Sequence, residues 1–218
     1  CRPQSEKTGR ELAGQYGIPA LYTDYETFLK EAEMDAVYLG IVNQMHASYA
    51  EKALLVGRNV INEKPFTSTV KEAEKLVRLA REKHLFLLEA ITLLHFPNYH
   101  WIQEHLKDLG KITMVQANFS QYSSRYDKYL AGEVLPAFDP AASGGSLMDI
   151  NIYNLHFTAG LFGMPESVHY YPRIGFNGID TSGTAVLEYP DFHAVLSGAK
   201  DSDSPGYAIV QGEKGYIK

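Results

Sequence analysis

Residues 56–67 read VGRNVINEKPFT, and the fold turns on how they are read. Asn59-Val60-Ile61-Asn62 has the length and content of a buried strand. Gly57 ends the preceding segment, 46–57 (HASYAEKALLVG), whose alanines and leucines recur at helical spacing. A helix, a glycine stop and a short apolar strand make one joint of a parallel α/β sheet. Glu63, Lys64 and Pro65 then stand where that strand runs out. Ligands in open α/β sheets bind outside the carboxyl ends of strands, so these three residues are site candidates. Pro65 fixes the turn and restricts the backbone of Lys64, and a cis Lys64–Pro65 bond would fit such a turn.

Outward from this joint the alternation continues. Segment 5–17 (SEKTGRELAGQYG) has a serine start and a glycine stop, and Thr23 or Asp24 can cap a short helix ending near Glu33. Segment 35–42 (DAVYLGIV) is a continuous apolar run, as expected of a parallel strand covered on both faces. Segment 67–84 puts Val70, Ala73, Leu76, Val77 and Ala80 on one helical face, and 85–90 (LFLLEA) returns as a strand. The rhythm changes after about Thr92. A helix over 97–110 leads into a strand over 112–119 (ITMVQANF), then an irregular stretch over 120–145 and a helix over 146–163. Strands and turns follow, with a hairpin signal at Pro190-Asp191, and these later strands read as antiparallel. The expected fold class is α/β. A partial Rossmann-type, doubly wound parallel sheet (1–91) is followed by an α+β domain with a large, mainly antiparallel sheet (92–218).

The composition narrows the function. At 45% hydrophobic and 21% charged, the 218 residues are those of a globular protein with a sizeable core. The net charge of −6 has no long run of one sign, which argues against nucleic acid or an anionic membrane as partner. No apolar run approaches a membrane span, no signal peptide is visible and no metal-ligand cluster is read. Cys1 is the single cysteine, so no intrachain disulfide forms, which fits the cytoplasm. The chain opens without methionine and stops in what reads as an unfinished strand, so it is expected to be part of something longer.

Chemistry gathers on the helix over 146–163. Asp149, Tyr153 and His156 stand at i, i+4 and i+7, on one face. Gly144-Gly145 before them allows close backbone approach, as at a ligand cleft. Taken singly, each of the three is more often a packing residue with a hydrogen-bonded tip, and a strand-end lysine is more often simply solvated. Together they have a use. An ammonium such as that of Lys64 beside a phenol favours phenolate, and a tyrosine so tuned can take the proton of an alcohol as hydride leaves its carbon.

These residues resemble the glucose–fructose oxidoreductase / inositol dehydrogenase / rhizopine-catabolism (Gfo/Idh/MocA) oxidoreductases. Cys1-Arg2 matches the Ser/Cys-Arg after the second Rossmann strand, and 35–46 (DAVYLGIVNQMH) matches a strand followed by Asn and a His three residues on. The segment 53–66 (ALLVGRNVINEKPF) is close to the family pattern AL-x-x-G-(K/R)-x-V-x-x-EKP, the most specific of the four. The segment 144–157 (GGSLMDINIYNLHF) resembles GGG-x-L-x-D-x-G-(V/I)-(H/Y). The resemblance implies roles position by position. Lys64 matches the catalytic lysine, also beside the cofactor, and Glu63 the contact to the nicotinamide ribose. Asp149 matches the acid orienting substrate hydroxyls. Tyr153 stands where inositol dehydrogenases have His and the dihydrodiol dehydrogenase branch has Tyr. Asn43 and His46 match cofactor-lining positions, and Arg2 an arginine meeting the adenosine 2′-phosphate, which favours NADP over NAD. His156 has no counterpart in the family pattern and either supports the helix or touches substrate, and Arg125, in the polar and aromatic loop 121–126, is a candidate substrate contact.

There are departures. The G-x-G-x-x-G fingerprint is absent, and its strand and helix are expected to precede residue 1. Ile41-Val42 replaces Thr-Pro, Asn151 replaces a glycine, and Leu94-His95 stands where Tyr-Arg is common. The expected activity is hydride transfer between NAD(P) and a CH–OH group of a sugar, polyol or cyclic diol, in a homodimer or higher homo-oligomer. The alternative is a non-catalytic dinucleotide-sensing regulator of the same fold, which needs none of the proton-transfer residues.

Overall fold

In the computed structural model, which describes residues 3–218, the apolar runs of the first 90 residues become strands separated by helices. Helix α1 (Glu6–Tyr16) stops at Gly17, whose φ of 64° is the left-handed cap only glycine adopts cheaply. Asp24 caps α2 (Tyr25–Glu31), its carboxylate accepting the Thr27 N–H. Then come β1 (Ala36–Leu39), α3 (His46–Leu55), β2 (Asn59–Glu63), α4 (Val70–Glu82) and β3 (Leu87–Ala90). The three strands form a parallel sheet in the order β1-β2-β3, with Val60 paired to Val37 on one side and to Leu87 on the other. The core beneath holds Val37, Leu39, Ala53, Leu54, Val60, Leu76 and Ala80.

One expectation for α4 is corrected. Leu76 and Ala80 are buried, but Val70 is 74% and Val77 37% exposed. The capping box of Thr69 and Glu72 sets where the helix starts. At 3.6 residues per turn, Val77 and Val70 then lie about 100° and 120° round from Leu76, off the sheet-facing arc. Leu79 fills the other flank of that arc.

The second half opens with α5 (Pro97–His105) and a 3-10 turn, then β4 (Ile112–Ser120), α6 (Tyr126–Leu130) and α7 (Ile152–Phe162). Strands β5 (Ser167–Ile174), β6 (Asp180–Glu188), β7 (His193–Ala199), β8 (Tyr207–Gly212) and β9 (Gly215–Ile217) complete a sheet ordered β5-β6-β7-β4-β8-β9. Every neighbouring pair is antiparallel except β4 with β7. The alternation of side chains decides which face is covered. Val115, Leu187, Ala194 and Val210 lie in one cross-strand row and are buried against Leu155, Phe157, Leu161 and Phe162 of α7. The next row, Gln116, Val186, Val195 and Ile209, faces the other way and is only half-buried.

Two further differences bear on the site. The stretch over 120–145 is not merely irregular: it carries α6 and two 3-10 turns, Pro136–Phe138 and Pro140–Ala142, packed through Tyr126, Tyr129 and Phe138. The helix over 146–163 begins as a π-turn, Leu147–Asn151, before settling into α7. Among the described residues no helix is long and apolar enough to cross a membrane.

Candidate active site

The strand β2 ends at Glu63, and the chain turns at a cis Lys64–Pro65 bond. The turn directs the Lys64 side chain across a seam between the two sheets. Its Nζ lies 2.9 Å from Asp149 Oδ1 and 2.6 Å from the Asp149 carbonyl oxygen. Asp149 lies within the π-turn Leu147–Asn151. π-Bulges recur at functional sites because the wider turn loosens the i→i+4 ladder, and here the Asp149 carbonyl faces an ammonium. The same ammonium stands 5.0 Å from the centroid of the Tyr153 ring, a cation–π contact in place of the contact to the phenol that the sequence suggested. The Tyr153 ring meets Phe119 edge-on at 5.5 Å. Lys64, Asp149 and Tyr153 are thus brought together.

Asp149 has a second cation. Its Oδ2 accepts from Lys200 Nζ at 2.6 Å. Burial alone would push the Asp149 carboxyl up, but the Lys200 and Lys64 ammonium groups outweigh burial and hold it below the ordinary carboxylate value. Sequence reading missed Lys200, because GAKD after a strand looks like a solvated turn.

The remaining candidates divide. Glu63 accepts from the Tyr38 hydroxyl through Oε1 and from the Lys64 N–H at 3.1 Å through Oε2. Asn43 Nδ2 donates to the Ser143 carbonyl at 2.9 Å, bridging the seam. His46 is fully buried, its ring nitrogens 2.8 Å from the Pro65 carbonyl and 3.1 Å from that of Ile41, so it reaches the site through the turn it braces. His156 Nε2 lies 3.1 Å from Glu89 Oε2, while Glu89 Oε1 accepts the Phe66 N–H at 2.9 Å. Glu89 was not singled out either. Its signal was available, since it stands at the carboxyl end of a strand just as Glu63 does. Arg125 is exposed at the rim of a cavity of about 990 Å³, lined also by Tyr38, Asn43, Ala137 and Asp149. Arg2 lies outside the described residues.

The glycines before the helix are used differently from expectation. A Cβ on Gly144 would stand 2.5 Å from the Pro136 carbonyl, and Gly145, at φ 103°, packs against Asp180. The close approach is to the chain itself. Asn151, where the family pattern has glycine, is buried and donates to the Leu196 carbonyl at 3.0 Å. It fits because strand β7 offers Gly198, where a Cβ would come within 2.7 Å of Asn151 Cβ. The residues present suit a nicotinamide dinucleotide at the strand ends: Glu63 closes β2 and the side chain of Asn43 lies after β1. Among the described residues no group of His, Cys, Asp and Glu forms a metal site.

Comparison with known proteins identifies the family. The model of the oxidoreductase family with an NAD-binding Rossmann fold matches residues 2–90, and that of the GFO/IDH/MocA C-terminal domain matches 103–218. The chain is 37% identical over 214 residues to the uncharacterized oxidoreductase YgjR of Escherichia coli, covering 98% of this chain and 65% of that protein. It is 36% identical over 213 residues to scyllo-inositol 2-dehydrogenase (NADP(+)) IolU of Bacillus subtilis, with the same coverage. The chain therefore spans about two thirds of the length of these curated relatives. Among solved structures, the WlbA dehydrogenase of Bordetella pertussis, in complex with NADH and UDP-GlcNAcA, superposes with a TM-score of 0.84 at 19% identity. The match covers 95% of this chain and 61% of that one. From its matched motifs, its two sheets and the family models that cover both halves, the chain belongs to the Gfo/Idh/MocA oxidoreductase family.

Proposed function

We propose that this chain is the greater part of an NAD(P)-dependent oxidoreductase acting on a CH–OH group of a polyol, sugar or cyclic diol. The observation that carries the reading is the convergence of Lys64, Asp149 and Tyr153 on one seam at the end of a parallel strand. Residues 1–91 serve the dinucleotide and 92–218 the substrate. Glu63 and Asn43 line the dinucleotide, His46 holds their turn in place, and Arg2 meets a 2′-phosphate. The dinucleotide, when bound, supplies hydride transfer at the carbinol carbon. Asp149 and Lys64 orient the substrate hydroxyl, and Tyr153 takes its proton as phenolate and returns it as phenol in the reverse direction. Arg125 and His156 touch the rest of the substrate. The name of IolU supports both NADP and a cyclic polyol. The half-buried outer sheet row of Val186 and Val195 supports association of copies through that face, and the single cysteine fits a cytoplasmic protein.

The test is turnover by the intact protein of scyllo-inositol and a panel of polyols and sugars, with NADP+ and NAD+ in turn. Reduced nicotinamide should accumulate with at least one substrate, and faster with NADP+. Tight dinucleotide binding with no turnover across the panel would instead identify a dinucleotide-sensing regulator.

A further inference from the structure

We propose that Lys200 is a positioning residue for this site: it pins the Asp149 carboxylate and leaves the seam one positive charge beyond what that carboxylate cancels. The second half of this statement rests on the oxidoreductase reading; the first rests on geometry alone. Lys200 is 3% exposed, and an ammonium is buried at that depth only when it is paired. Its Nζ donates to Asp149 Oδ2 at 2.6 Å and to the Ala137 carbonyl at 2.7 Å, and stands 4.4 Å from the Phe138 ring centroid. The backbone is held as well, with Lys200 N–H donating to the Thr181 carbonyl at 2.9 Å.

The charges explain the arrangement. Lys64 and Asp149 alone would form a neutral pair, and an ammonium cancelled by its own carboxylate does little for a negative charge developing beside it. With Lys200 on the other carboxylate oxygen, the trio carries one net positive charge. Lys64, directed at Tyr153, can then stabilise the oxyanion that forms as a proton leaves the substrate hydroxyl. Because each Asp149 oxygen has its own ammonium, the carboxylate cannot swing away from Lys64. Burial pulls the Lys200 amine below the ordinary lysine value and Asp149 opposes that pull. The charged groups around the carboxylate are Lys64 after β2, Lys200 after β7 and Arg125 before α6, with Arg125 adding like charge beside Lys200.

Two readings of Lys200→Met in the intact protein test this. The first is the titration of the Asp149 side-chain carboxyl by carbon NMR. Losing one of two cations should raise its midpoint by about one pH unit or more. The second is kcat on scyllo-inositol with NADP+. It should fall about tenfold or more with KM unchanged, and Lys200→Arg should recover most of the loss. An unmoved midpoint overturns the proposal, and so does a raised midpoint with full kcat. If the unsubstituted protein turns over no polyol, the functional reading fails, and the titration still decides whether Lys200 holds Asp149. If Lys200→Met does not fold, Lys64→Met decides the matter. With Lys200 in place the carboxylate keeps one cation, so Asp149 must remain ionised at neutral pH, and an Asp149 that is protonated there overturns the proposal.

Discussion

Glu89 ties the two halves of the site together, and its removal should be felt on both sides. One carboxylate oxygen accepts the Phe66 N–H at 2.9 Å, two residues beyond Lys64; the other faces His156 Nε2 at 3.1 Å, three residues beyond Tyr153. The side chains of Glu89 and His156 are 17% and 26% exposed, so water replaces these contacts poorly. A hydrogen bond to a charged acceptor contributes about 1.5–3 kcal/mol, and the His156 contact adds about 1 kcal/mol. Glu89→Ala should therefore cost about 3 kcal/mol, a fall in Tm of about 6–12 °C for a chain of this length. Glu89→Gln keeps an acceptor for Phe66 and should lose only about 1 kcal/mol. Urea unfolding of the intact protein, with Glu89→Gln, His156→Gln and the double variant, measures the pair directly, and a coupling of about 1 kcal/mol is expected. A Glu89→Ala variant within about 0.5 kcal/mol of the parent, the range of ordinary surface changes, would refute the reasoning.

Gly198→Ala brings a methyl group within 2.7 Å of Asn151 Cβ and should destabilise by about 1–3 kcal/mol. Combined with Asn151→Gly, the loss should be less than the sum of the two single losses, as thermal unfolding will show. Asp149, held below the ordinary carboxylate value, contributes stability that is present above the unfolded carboxyl's pKa of about 3.9 and is lost as pH falls through the lower folded value. The stability gap between the parent and Asp149→Asn, read from urea midpoints, should be open at neutral pH and close below about pH 4.

The parallel sheet was legible because its strands are continuous apolar runs between helices with plain start and stop signals, such as Asp24, Gly17 and the Thr69–Glu72 box. The approach of Asp149 and Tyr153 to Lys64 was legible from helical spacing and the family motifs. The π-turn was not, because nothing in LMDIN distinguishes a five-residue turn from an α-helical one. The Asp149 carbonyl that Lys64 meets lies in that turn. Lys200 was hidden for a different reason: its burial depends on Phe138 and Ala137, more than sixty residues away in sequence. The glycine pair at 144–145 suggests close approach as at a ligand cleft, whereas the space is taken by Pro136 and Asp180.

The central claim is that the Tyr153 phenol moves the hydroxyl proton while the dinucleotide is held elsewhere. The measurement that tests it most directly is Tyr153→Phe in the intact protein, comparing kcat on scyllo-inositol with NADPH affinity by dihydronicotinamide fluorescence. The account predicts that kcat falls by about 10²–10⁴, the usual contribution of a general acid–base group, while dinucleotide affinity stays close to that of the parent. Turnover near the parent rate would contradict it.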